Sequence, residues 1–143
     1  MKHLILAPAL LIATAAFAHE GVKNPDVMAR MELMKDIAGD MKVLGEMAKG
    51  VTAYDGAIVK AKAASLSDHA GATIRLFETP AYDAKSEATT TIWTSFPDFA
   101  ERASAMGKAA KALEVASEAE FQAAFAKIGK TCSSCHKSYR MKN

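Results

Sequence analysis

Between Phe121 and Tyr139 the apolar side chains fall at steps of three and four: Phe121, Phe125, Ile128, Cys132, Cys135, Tyr139. Residues so spaced share one face of an α-helix and no face of a strand. The chain's two cysteines are both on that face, so they belong to a buried seam rather than to a loose tail. The same rhythm runs through most of the sequence, which is rich in alanine, lysine, glutamate and methionine, all good helix formers. Strand-like alternation is nearly absent. The pattern predicts an all-α chain whose amphipathic helices pack as an antiparallel four-helix bundle.

Start and stop signals divide the chain. Asn24-Pro25-Asp26 offers an N-cap followed by proline in the first helical position, and Gly50 offers a stop. The stripe between them reads Val27, Met31, Met34, Ala38, Met41, Leu44, Ala48. Thr52-Ala53-Tyr54-Asp55 caps a second helix carrying Val59, Ala63, Leu66, Ala70, Thr73 and Phe77. The pattern dissolves around Pro80, and residues 78–96 read as a long connection. Ser95-Phe96-Pro97-Asp98 opens a third helix with Phe99, Ala103, Met106, Ala110 and Leu113. Ser117-Glu118-Ala119-Glu120 is a capping box for the fourth.

The fourth helix holds Cys132-Ser133-Ser134-Cys135-His136. C-x-x-C-H is the covalent attachment signature of c-type haem: each thiol forms a thioether with a vinyl group, and the adjacent imidazole coordinates iron. Positions i, i+3 and i+4 share a helix face, so one turn presents all three groups together. A redox dithiol expects a βαβ setting, which is missing here. A zinc site expects a second Cys/His pair at ligand spacing. A disulfide across one helical turn closes almost no loop and stabilises little. Cofactor sites in bundles sit between facing helices, so one haem c is expected inside the bundle, near the C-terminal end of helix four.

The N-terminus fits an exported protein. Lys2 and His3 precede an apolar run from Leu4 to about Ala15, ending in Ala16-Phe17-Ala18, a small-x-small cleavage pattern. Residues 1–18 therefore read as a secretory signal and residues 19–143 as one domain, delivered to a bacterial periplasm, where haem is attached. The apolar run is too short for a membrane span. Loss of Lys2 lowers the formal net charge of +2 by one. Charges are interleaved with no basic block, which argues against a nucleic-acid partner.

Taken together, the sequence resembles the class II c-type cytochromes, the family of cytochrome c′ and its low-spin relatives such as cytochrome c-556. The resemblance rests on C-x-x-C-H-x-x-Y-R over residues 132–140, on Arg30 in the first helix, on Lys49-Gly50 at its end and on Ile92-Trp93 before the third helix. It covers about residues 22–142. It implies Cys132 and Cys135 as thioether sites, His136 as the proximal iron ligand, and Arg30 and Arg140 among the haem-binding side chains. Arg140 either neutralises a propionate, or lies along the imidazole, or is simply an exposed cation favoured by the helix dipole. Tyr139 continues the apolar stripe and reads as core.

Function depends on the other axial position. In the family, the residue four after this arginine faces the distal side of the iron; it is apolar in five-coordinate cytochrome c′ and methionine in the low-spin branch. Here it is Met34. A neutral, soft thioether favours ferrous iron and raises the potential, so the resemblance implies a single-electron carrier with His/Met ligation rather than an enzyme. The alternatives are that Met34 only fills core in a helix also holding Met28, Met31, Met41 and Met47, or that Met31 takes the role. A packing role for Met34 would leave a five-coordinate haem that binds nitric oxide or carbon monoxide; dissociation of Met34 would allow weak peroxidase activity.

Remaining features are minor. His69 reads as solvent-exposed, and His19 as the mature N-terminal residue. Gly39 and Gly45 permit close approach of haem or another helix, and Trp93 packs where the long connection meets the bundle. Lys127, Lys130, Lys137 and Lys142 either dock an acidic redox partner protein or form an ordinary solvated face. Homodimerisation is compatible with the resemblance, although no stripe marks a second seam.

Overall fold

The structure, a computed structural model, describes residues 21–142. The signal sequence, His3 and His19 lie outside the described residues. Four long helices appear where the periodicity predicts them: α1 Pro25–Ala48, α2 Gly56–Phe77, α4 Phe96–Glu114 and α5 Phe121–Tyr139. A short helix, α3 Thr91–Thr94, interrupts the connection before α4. Among the described residues no helix is long and apolar enough to cross a membrane.

The helix ends follow local chemistry. The Asn24 side chain accepts from the N–H groups of Asp26 and Val27, and Asp55 does the same for Ala57 and Ile58. These bonds satisfy donors that a helix start otherwise leaves orphaned. Gly50 closes α1 with φ +70°, while Gly50 N–H reaches the Met47 carbonyl and Val51 N–H the Glu46 carbonyl. This is the Schellman arrangement, and glycine adopts its left-handed residue without strain. Ahead of α5 the Glu120 carboxylate accepts from the Ser117 N–H and hydroxyl. Ser95 does not cap α4 with its side chain; its carbonyl accepts from Phe99 N–H instead.

Cross-helix contacts set three neighbouring pairs antiparallel. Gly107 meets Ala70 while Phe77 meets Phe99, which runs α2 against α4. Arg102 bonds Ser134 while Tyr139 bonds Asp98, which runs α4 against α5. Gln122 bonds the Ala48 carbonyl while Gly45 faces Phe125, which runs α5 against α1.

The buried faces of α2 and α4 carry every residue of the predicted stripes, with Gly107 added. A Cβ on Gly107 would lie 3.1 Å from that of Ala70, so the missing side chain lets the two helices approach. Gly45 likewise admits Phe125, whereas Gly39 faces open space. The prediction for α1 needs correction. Val27 and Leu44 are buried as expected, but the other buried residues are Arg30, Leu33, Ile37, Asp40 and Met47, on a stripe beside the expected one. Of the expected stripe, Met31, Met34 and Met41 are half-buried and Ala38 is exposed. Those residues face a cavity, and the core proper is served by the adjacent face.

His69 is also corrected. It is half-buried on the α1–α2 seam, with Nδ1 3.8 Å from Oδ2 of the buried Asp40, which Lys62 bonds at 2.8 Å through Oδ1.

Candidate cofactor site

At the end of the bundle formed by the start of α1, the end of α2, the start of α4 and the end of α5, a cavity of about 660 Å³ opens. That volume falls within the roughly 300–1,000 Å³ of small-molecule and cofactor pockets. Cys132, Cys135, His136, Met34, Arg30 and Arg140 all line it. The site residues expected from the sequence, drawn from both ends of the chain, therefore converge on one space. Its wall is mainly apolar, built by methionines 31, 34, 41 and 106 with Phe77, Ile92 and Phe99. The two cysteines are free and half-buried. Burial pushes both thiols up, so they are neutral near pH 7 and lack the thiolate character of a redox dithiol. His136 lines the cavity but is exposed; partial desolvation lowers its proton affinity, with Arg140 acting in the same direction, which favours the neutral imidazole a metal needs.

The antiparallel register of α1 and α5 ranks the methionines. Ala48 is level with Gln122 and Gly45 with Phe125, so each step up α1 matches one step down α5. Continued along both helices, this register sets Met34 level with His136, Met31 with Tyr139, and Met41 with Gly129. Met34 also packs against both of the buried hydrophobic clusters among the described residues, as Cys132 does against one and Cys135 against the other.

The two arginines predicted at the site have definite protein partners. Arg30 is 3% exposed. It donates to the carbonyls of Leu76 (2.8 Å), Ala81 (3.1 Å) and Thr79 (2.5 Å) and lies over the Phe77 and Trp93 rings at 4.6 and 5.4 Å. It thus pins the turn after α2 against α1. Arg140 has left the helix. Its guanidinium grips Glu87 at 2.6 and 2.5 Å, and its backbone forms an antiparallel bridge with Ala88. Thr89 N–H to the Tyr139 carbonyl and Met141 N–H to the Glu87 carbonyl complete this strap. Trp93 stands where expected, its ring N–H donating to the Phe77 carbonyl at 2.9 Å.

Sequence reasoning missed two parts of the wall: Lys85, Ser86 and Glu87 from the long connection, and Arg102 from α4. Asp98 and Arg102 are spaced for an i,i+4 ion pair, a visible signal. The connection has no periodicity and carries none.

The family model described as cytochrome C′ matches residues 26–140. The chain belongs to the cytochrome c′ family. Cytochrome c-556 of Agrobacterium tumefaciens (strain II Chrys) is 34% identical over 120 residues, covering 82% of this chain and 98% of that protein. Cytochrome c′ of Cereibacter sphaeroides is 34% identical over 149 residues, covering 99% of each. A structure of oxidized R. palustris cytochrome c556 superposes with a TM-score of 0.74 at 29% identity, covering 85% of this chain and 99% of that one. As a member of the cytochrome c′ family the chain is a monohaem protein with covalently attached haem c. The cavity fits that group: both thiols and an imidazole reach it from one helical turn, and its apolar walls suit a porphyrin.

Proposed function

We propose that this cytochrome is a periplasmic single-electron carrier whose iron is held between His136 and Met34, with Cys132 and Cys135 as the thioether sites. What supports this reading is that Met34 and His136 line one cavity, and that the α1–α5 register, extended from Ala48–Gln122 and Gly45–Phe125, sets them level. The haem supplies the one-electron couple. The chain supplies the rest. The lowered proton affinity of His136 favours the neutral imidazole that iron requires, the apolar wall suits a porphyrin, and a thioether from Met34 would favour the ferrous state. With haem bound, His136 and Met34 would hold the iron between them, so that the ligand set would change little on electron transfer and exogenous ligands would have to displace Met34. Residues 1–18 act as the export signal.

A second reading draws on the packing of Met34 against both hydrophobic clusters, which gives that side chain a structural role even without iron. The protein would then be a five-coordinate binder of nitric oxide or carbon monoxide. Optical spectra of the purified holoprotein, oxidised and reduced, with and without carbon monoxide, separate the two. Sharp low-spin bands with a weak near-red charge-transfer band and little response to carbon monoxide are expected. Broad high-spin bands that shift with carbon monoxide would replace the carrier by the gas binder.

A further inference from the structure

Arg102 is a cation on the wall of the haem cavity with no task in the reading above. It stands on α4 one turn after Asp98, and its fork is held on two sides. Nε donates to Asp98 Oδ2 at 2.7 Å, while Nη1 donates to the Ser134 hydroxyl at 2.7 Å and the Ser134 carbonyl at 3.2 Å. Ser134 lies between the two cysteines, so this cation is fastened to the attachment turn itself. Asp98 is gripped in turn by the Tyr139 hydroxyl at 2.5 Å. Arg102 lines the cavity, whereas Asp98 is outside its wall. The pair is therefore an oriented dipole with its positive end toward the cofactor.

We propose that Arg102 sets the reduction potential of the haem, acting as a fixed cation at the attachment turn whose field is partly offset by Asp98. Reduction brings one electron from a redox partner into the cavity. A nearby cation favours the reduced state and a nearby anion the oxidised one. Because Ser134 and Asp98 lock the guanidinium, its distance from the added charge stays the same in both states. The inference rests on haem occupying this cavity and not on which side chain fills the sixth position.

The test is the midpoint potential of the haem-loaded full chain, measured by spectroelectrochemical titration for Arg102→Gln, Arg102→Lys, Asp98→Asn and the Arg102→Gln/Asp98→Asn double variant. Arg102→Gln is expected to lower the potential, weakening the reduction equilibrium constant by roughly threefold, as loss of one partly solvent-screened charge on the cavity wall would do. Asp98→Asn should raise it, the double variant should fall between the singles, and Arg102→Lys should stay close to the parent. Added salt should shrink each shift. Arg102→Gln and Asp98→Asn moving the potential in the same direction, or Arg102→Lys falling as far as Arg102→Gln, would mean that the network only positions the turn, and would overturn the proposal. If Arg102→Gln fails to fold, a raised potential in Asp98→Asn beside an unchanged one in Arg102→Lys supports the proposal, and the absence of that rise overturns it. Spectra of the same samples keep the two readings apart. A high-spin parent refutes Met34 ligation and leaves the predicted shifts standing; a low-spin parent with no shifts refutes Arg102 alone.

Discussion

The hydroxyl of Tyr139 donates a 2.5 Å hydrogen bond to the carboxylate of Asp98, joining the last turn of α5 to the first turn of α4. Tyr139 is 5% exposed, and its ring meets Phe99 edge-on at 5.3 Å. The residue three positions after His136 is thus anchored by a polar tip and an apolar body at once, which limits the freedom of the whole attachment turn. Reading Tyr139 as core from its stripe is correct for the ring and incomplete for the hydroxyl.

This bond leaves a mark on stability at both ends of the pH scale. Burial, reinforced by Asp98, pushes the Tyr139 hydroxyl up to about 12. The unfolded chain releases that proton near 10; the folded chain retains it. The contribution is therefore complete below about pH 10 and is lost as pH rises toward 12. Asp98 behaves oppositely. Its bonds from Arg102 and then Tyr139 hold it below the usual carboxylate range, so its contribution is present above the unfolded carboxylate pKa and disappears as pH falls through the lower folded value. In thermal unfolding followed by circular dichroism, Tyr139→Phe should flatten the alkaline decline and Asp98→Asn the acid one. An unaltered alkaline limb in Tyr139→Phe would show that the phenol is not the titrating group.

The register of α1 and α5 predicts different outcomes for two methionines one turn apart. Met34→Leu should lose the near-red charge-transfer band, acquire a carbon monoxide response and fall in potential. Met31→Leu should keep the band, the weak carbon monoxide response and the potential of the parent, since a volume-conserving apolar exchange usually costs under about 1.5 kcal/mol. The reverse pattern would assign the sixth position to Met31.

Arg30 is predicted to matter for stability first. Arg30→Ala strands the carbonyls of Leu76, Thr79 and Ala81 and removes the cation stacked on Phe77 and Trp93. An unsatisfied buried group costs about 1–3 kcal/mol, so a loss of about 3 kcal/mol or more is expected in urea unfolding. Arg30→Lys should recover only part of it, because one ammonium cannot reproduce a planar fork to three acceptors. A change below about 1 kcal/mol in Arg30→Ala would contradict the clamp.

Two helical glycines should respond with opposite signs. Gly39 has nothing within 4 Å of a built Cβ, so Gly39→Ala should stabilise the protein by up to about 1 kcal/mol through helix propensity. A Cβ on Gly107 would come within 3.1 Å of the Ala70 Cβ, whose position the α2 backbone fixes, and Gly107→Leu should destabilise by about 3 kcal/mol through overpacking. Chemical denaturation of both variants checks the pair; equal signs would refute the close approach of α2 and α4.

What the sequence by itself determined is whatever depends on spacing along one helix. The caps at Asn24 and Asp55, the glycine stop at Gly50 and the C-x-x-C-H turn are local, and all were legible. So were the buried residues of α2 and α4, since each of these helices turns essentially one apolar stripe inward. Helix α1 has two such stripes side by side. Leu33 and Met47 face protein, Met31, Met34 and Met41 face the cavity, and the buried Ile37 touches both. Periodicity alone chose the second as core, because an apolar side chain looks the same whether its neighbour is leucine or a cofactor. Only the tertiary structure decided which stripe does which. It also decided the partners of the charged groups: Arg30 with the turn after α2, Arg102 with Ser134, Arg140 with Glu87. These contacts span 32 to 53 residues of sequence. A side chain's spacing along its own helix selects the face it occupies, but what that face meets is set by the packing of the other helices.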